Sequence, residues 1–211
     1  HLTFNVDSLA SSGSENSSVT FDYYLVAGGD ILMADDSGSI LGTFDQPDFI
    51  LPGGQSSLID GRGGRDTIVF ATSSNDPVIH EVHLYDGDML MFSSGDYLGG
   101  GGIHDFSWGS GTQLTLDPET EVELLSALEE LSGGLDYEAK LLWLSDAGGD
   151  IDYTGLYLAA EISGIEDEID DSDIVLRLEN FDGVLHFNQE IQTFEYQSSF
   201  DSFQIASSHW Q

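Results

Sequence analysis

Leu58-Ile-Asp-Gly-Arg-Gly-Gly-Arg-Asp-Thr-Ile-Val-Phe70 is a glycine-rich turn running into an apolar strand. Gly61, Gly63 and Gly64 let the backbone turn tightly, because a residue without Cβ adopts conformations closed to the others. Asp66 places a carboxylate where the turn ends, and the apolar residues after it, from Ile68 onward, enter a β-core. Most of the chain repeats this alternation of short apolar runs with Gly/Asp/Ser turns.

Working outward, strands are expected over Val19 to Val26, Ile31 to Met33, Thr67 to Ala71, Val78 to Tyr85, Met89 to Phe92, Gln113 to Leu116, Ala139 to Leu144, Leu156 to Ile162, Ile174 to Leu178, Val184 to Phe187 and Thr193 to Tyr196. Period two is clear in Val78-Ile-His-Glu-Val-His-Leu-Tyr85. One face carries Val78, His80, Val82 and Leu84, and the other Ile79, Glu81, His83 and Tyr85. The spacing predicts an all-β, sandwich-like antiparallel domain with Gly/Asp-rich loops, a single module over residues 1–211. One short helix is expected at about 118–131, with Asp117 as N-cap, Pro118 at its first position and Gly133 and Gly134 beyond its end. Val122, Leu125 and Leu128 with Leu124 and Leu131 form its apolar stripe. The glycine-rich stretches 94–102 and 109–112 read as long loops, either binding loops or plain surface.

Thirty-nine Asp and Glu against four Lys and Arg give a formal charge of -35 over 211 residues. Repulsion of this size opposes a compact state, and it is relieved either by ions at fixed carboxylate sites or by concentrated salt. An apolar content of 40% still supports a core. With no Cys there are no disulfides to staple it, which in a small secreted protein would point to some other staple such as metal. Arg62, Arg65, Lys140 and Arg177 are too few for a nucleic-acid footprint, so nucleic acid is excluded as a partner. Anionic membranes repel the chain equally, and no apolar run is long enough to insert into one.

Against the nonapeptide pattern Gly-Gly-x-Gly-x-Asp-x-apolar-x, in which glycines aim carbonyls and Asp a carboxylate at calcium, Gly61, Gly64, Asp66 and Ile68 match. Arg62 replaces the second Gly, and Gly63 is an additional residue. The segment Ile59-Asp-Gly-Arg-Gly-Gly-Arg-Asp-Thr-Ile-Val69 resembles the repeats of RTX proteins, calcium-binding secreted proteins of bacteria. Pro52-Gly-Gly-Gln55 looks like a degenerate copy of the turn. Leu178-Glu-Asn-Phe-Asp-Gly-Val184 and Ile191-Gln-Thr-Phe-Glu-Tyr196 are similar to strands that accompany such repeats. The family's parallel β-roll needs several successive repeats, and with one good copy a β-roll is not expected. The resemblance instead implies an all-β, extracellular module of a large RTX-type adhesin that holds several calcium ions. As one module of a larger chain, it would bind a peptide or glycan on another cell surface. The alternative for the turn itself is a Gly-rich hairpin without an ion.

Metal ligands are expected at Asp60, Gly61, Gly63, Gly64 and Asp66, and at the short turn Asp86-Gly-Asp88. Asp146, Asp150 and Asp152 stand around a Gly pair, a loop able to wrap an ion of oxygen ligands. Glu166, Asp167, Glu168, Asp170, Asp171 and Asp173 form the densest acidic run, read either as an ion site or as a solvated loop. Tyr97, Trp108 and Tyr153 lie beside these loops and are candidates to stack on a ligand, or to pack in the core. No catalytic residues are assigned. His80 and His83 point to opposite faces of one strand and cannot share an ion there. His1 as a copper-binding N-terminus has no support in the residues that follow it. No Gly-x-Ser-x-Gly elbow, phosphate loop or Cys nucleophile is present. The competing readings are a halophilic secreted carbohydrate-active enzyme or its accessory module, and a calcium-stiffened spacer without a ligand.

Overall fold

A computed structural model of the chain describes residues 2–5, 18–21, 30–33, 39–52, 58–71, 79–93, 103, 105–108, 115–116, 118, 120–132, 135, 137–146, 152–161, 169 and 173–199. In chain order its strands begin with β1 (Leu2–Asn5), β2 (Ser18–Phe21), β3 (Ile31–Met33), β4 (Ile40–Leu41), β5 (Phe49–Leu51), β6 (Leu58–Asp60), β7 (Thr67–Ala71), β8 (Ile79–His83) and β9 (Met89–Ser93). Then come β10 (Asp105–Trp108), β11 (Thr115–Leu116), the helix α1 (Glu121–Ser132), β12 (Glu138–Asp146), β13 (Gly155–Ala160), β14 (Ile174–Glu179), β15 (Gly183–Asn188) and β16 (Thr193–Ser198).

Strands β1 and β2 pair with each other. The rest form two sheets, one ordered β15-β16-β9-β7-β5-β3 and the other β10-β12-β13-β14-β8-β6-β4, with β11 also on β12. From β3 to β9 the chain alternates between the sheets. Each turn carries it across to the opposite sheet, so the next strand to arrive in the same sheet runs parallel to the last, as β3, β5, β7 and β9 do. Strands β4, β6 and β8 do the same opposite them. Strands β3 to β9 therefore form a flattened parallel coil of three successive turns.

The all-β architecture with two facing sheets and one short helix is as the sequence predicts. Antiparallel pairing holds for β12-β13-β14 and for β15-β16-β9. Within the coil it does not, nor where β10 and β11 join β12 and β14 joins β8, and the expectations of antiparallel strands and against a parallel coil are corrected there. The physical reason is the length of the strands. Two- and three-residue strands such as β4, β5 and β6 make only a few ladder bonds each, so stacking between coils, rather than a hairpin partner, holds them.

The core lies between the sheets. Ile50, Ile68 and Leu90 stack in register on one side and Ile40, Ile59 and Val82 on the other. Ile50, Ile59, Ile68, Val82 and Leu90 are fully buried. Burial of each such side chain contributes roughly 1.5–3 kcal/mol. An aromatic run ties the coil to the later strands: Phe70 stacks on Phe92 at 5.8 Å, Phe92 meets Phe194 edge-on at 5.4 Å, and Phe194 meets Phe187 at 4.7 Å and Phe106 at 5.0 Å.

The coil ends where later strands take the place of a further coil. β14 runs parallel beside β8 and β16 antiparallel beside β9. On the outer face of the second sheet, Leu124, Ala127, Leu128 and Leu131 of α1 cover Ile79, Leu142, Leu144, Tyr157 and Val175. The helix starts later than predicted. Thr120 is its cap, with Oγ1 accepting the Glu123 N–H at 3.2 Å. Pro118 is buried ahead of it, and Asp117 lies outside the described residues. Val122 faces solvent at 72% exposure, so the apolar stripe begins at Leu124. In β8, His80 and Val82 share one face as expected, and it is the one turned inward, His80 against Phe70, while Ile79 is buried against the helix layer. No described helix is long and apolar enough to cross a membrane. The predicted strand residues 22–26, 78, 113–114 and 162 and the two glycine-rich loops lie outside the described residues.

Candidate functional site

Each coil has a turn on the same side of the molecule: Gly42 to Asp48, Gly61 to Asp66, and Leu84 to Asp88. Every turn ends in an aspartate directly before a strand, and these aspartates stack with Asp30 in one column. The Asp30 N–H donates to Asp48 Oδ1 at 3.0 Å, the Asp48 N–H to Asp66 Oδ1 at 2.8 Å, and the Asp66 N–H to Asp88 Oδ1 at 2.9 Å. The sequence steps are 18, 18 and 22 residues. The column is a ladder of carboxyl groups holding successive coils in register.

The second oxygen of each carboxylate faces into its own turn. For Asp48 it accepts the Thr43 N–H at 2.6 Å, and for Asp88 the Tyr85 N–H at 2.7 Å. In the middle turn the corresponding N–H, of Arg62, goes instead to Asp60 Oδ1 at 2.9 Å. Asp66 Oδ2 is buried and has no hydrogen-bond partner among the described residues. It lies against Gly61, where any side chain would collide with it. Gly64, at φ +119, lets the Gln46 carbonyl of the preceding turn approach as closely.

A fully buried carboxylate oxygen with no donor has two remedies, a proton or a cation. Burial pushes the Asp66 carboxyl up to about 7; the N–H of Asp48 opposes the shift, and the charges of Asp88, Asp48 and Asp60 add to it. Asp88 is pushed up to about 6, again chiefly by burial. The surroundings of Asp66 are thus negative as well as dry. This suits a hard cation whose remaining ligands are backbone carbonyls and water, as calcium accepts. Among the described residues no three His, Asp or Glu side chains are grouped to hold a metal ion, so carboxylates alone would not complete such a site.

The structure brings together Asp60, Gly61, Gly63, Gly64, Asp66, Asp86 and Asp88 in adjacent turns. Asp86 Oδ1 accepts the Ser198 N–H at 2.9 Å, which ties this turn to β16. Elsewhere, Asp152 is exposed and accepts the Thr154 N–H at 2.9 Å. Asp173 is buried just before β14, and Asp146 is the last residue of β12. Asp150, Glu166, Asp167, Glu168, Asp170, Asp171 and Tyr97 lie outside the described residues. Trp108 ends β10. Tyr153 packs against the helix-side core, and its carbonyl accepts the Tyr157 hydroxyl at 2.7 Å.

Asp30, Asp48 and Thr43 belong to the ladder and are missed by motif reading. The signal that finds them is the recurrence of Asp followed by three residues that are mostly apolar, at Asp30, Asp48, Asp66 and Asp88. Comparison of the chain with protein-family models, curated proteins and solved structures finds no match.

Proposed function

We propose that the chain is a calcium-dependent module of a secreted bacterial protein of the RTX type, acting outside the cell as a peptide- or glycan-binding part of a surface adhesin. The observation that carries the calcium reading is Asp66 Oδ2, buried without a donor in a glycine turn amid like charges. Asp66 would hold the ion, with backbone carbonyl oxygens of the stacked turns, such as that of Gln46 beside Gly64, as a supply of further ligands. The ion supplies positive charge where the fold has collected carboxylates. It therefore stabilises the assembled coil over the unfolded chain by mass action. Extracellular calcium modules bind in the range of about 10⁻⁴–10⁻³ M. At that affinity the coil is loaded outside a cell and empty inside one, which couples its assembly to export.

The test is a thermal melt in EDTA, in millimolar calcium, in millimolar magnesium and in molar NaCl without calcium. The expected result is a rise in Tm with calcium that magnesium does not reproduce, since magnesium demands near-octahedral geometry and gives up its water reluctantly. A rise in molar NaCl alone would overturn the calcium reading in favour of halophilic surface charge. Binding to a glycan and peptide array, with and without calcium, tests the adhesin role. Absence of calcium-dependent binding there leaves a stiffened spacer.

A further inference from the structure

The middle turn carries two of the four basic residues of the chain, Arg62 and Arg65. They reach in opposite directions along the stack. The Arg62 guanidinium lies 5.1 Å from the ring centroid of Phe44, in the preceding turn and beside Asp45. Arg65 lies along Gly87, in the following turn between Asp86 and Asp88. A methyl group on Gly87 would stand 2.7 Å from Arg65 Nε and 2.9 Å from its Cγ. Arg62 holds φ at 60°, a conformation that costs an ordinary side chain about 1–2 kcal/mol and that glycine would adopt freely.

The other two basic residues are placed elsewhere. Lys140 meets Glu138 at 3.1 Å, and Arg177 meets Glu81 at 3.2 Å and Glu179 at 3.0 Å. Around the turns, Asp45, Asp60, Asp86 and Asp88 supply negative charge, and Arg62 and Arg65 are the only basic side chains of the three turns.

We propose that Arg62 and Arg65 are tethered cations of the turn stack, spanning from the middle turn to the turns on either side and thereby setting how much free calcium the coil needs to assemble. The proposal rests on the calcium reading of Asp66 and adds its regulation. Two charges anchored in the chain offset part of the repulsion that a diffusible ion would otherwise have to offset, with no loss of translational freedom on binding. The strained backbone of Arg62 is then explained by the position of its guanidinium, which a glycine there would lack.

The test compares the full chain with Arg65→Gln, Arg65→Lys and the same pair at Arg62. One arm measures the calcium midpoint of folding by circular dichroism, and the other Tm in EDTA. For an exposed charge, the Gln variants are expected to raise the calcium midpoint about two- to fivefold and to lower Tm in EDTA. Lys, which keeps the charge, stays near the parent in both. Gln variants that match the parent in both arms, or Lys variants as impaired as Gln, would overturn the proposal. If the parent ignores calcium while Gln still lowers Tm in EDTA and Lys restores it, the calcium reading falls and the tether stands.

Discussion

The coil of β3 to β9 and the later strands β12 to β16 share one core and are held together differently. In the later region, β12 to β16 are six to nine residues long and pair largely as antiparallel neighbours, held by ladder bonds and, in β13 and β14, by burial on both faces. In the coil the strands are two to five residues long, and the turns are as organised as the strands. Register there depends on a column of aspartates, each bonded to the backbone of the coil before. The coil collects carboxyl groups that accept these hydrogen bonds, and their mutual repulsion and burial have to be relieved by a proton or a cation.

The largest expected effect separates the regions directly. Ile68→Ala in the coil and Leu158→Ala in β13 each remove a fully buried aliphatic side chain, at a cost of about 2–5 kcal/mol. Urea unfolding should show calcium recovering much of the loss at Ile68 and little of that at Leu158, if the regions unfold separately. Equal recovery at both sites would mean a single cooperative unit and would erase the contrast.

Asp66→Ala comes next. It leaves the buried Asp48 N–H without its acceptor, at about 1–3 kcal/mol, and it should abolish the calcium response. Hydrogen exchange should locate the loss of protection in residues 30–93 and leave β12 to β15 unchanged. An unaltered calcium shift in this variant would remove Asp66 from the site.

The smallest effect is in pH. Asp66 and Asp88 are raised in the folded state to about 7 and about 6 from an ordinary 3.8. Their protonated forms are therefore favoured by folding. That stability is complete below the ordinary value and lost as pH rises through 6 and 7. His80 works in the opposite sense: burial lowers it to about 4 from 6.5, so its contribution is present above 6.5 and lost as pH falls toward 4. In EDTA, Tm should fall between pH 5 and 8, by an amount on the order of several degrees, and calcium should flatten that limb. A Tm that rises over this range in EDTA would contradict the assignment.

How much of this was legible in the sequence follows the same division. Period-two burial over Thr193 to Tyr196 and the apolar runs at Leu156 and Ile174 identify the later strands. The Leu124, Leu128 and Leu131 spacing identifies the helix, although Thr120-Glu-Val-Glu123 is a better start signal than Asp117-Pro118. Ile40-Leu41 and Phe49-Ile50-Leu51 escape because two or three apolar residues carry no period. Their information lies in an 18-residue recurrence that a short window does not span. The Gly61 to Asp66 turn is visible as a motif. Its neighbour is not, because Thr43-Phe-Asp-Gln-Pro47 makes its turn with Asp45, at φ 57°, where the middle turn uses glycines.

A parallel coil is also a template. Each layer presents a row of free N–H and C=O groups to the next, and a stack that can add one layer can add another, from its own kind or from a neighbouring molecule. Here that growth is stopped at one end by chain that does not obey the repeat. Strand β16 arrives antiparallel, the Tyr196 N–H closes on the Asp88 carbonyl at 2.8 Å, and the Gly87 N–H closes on the Tyr196 carbonyl at 2.9 Å. The backbone groups that would have seeded a fourth layer are spent on a strand that cannot pass the pattern on, so at this end the molecule is protected from becoming a fibre.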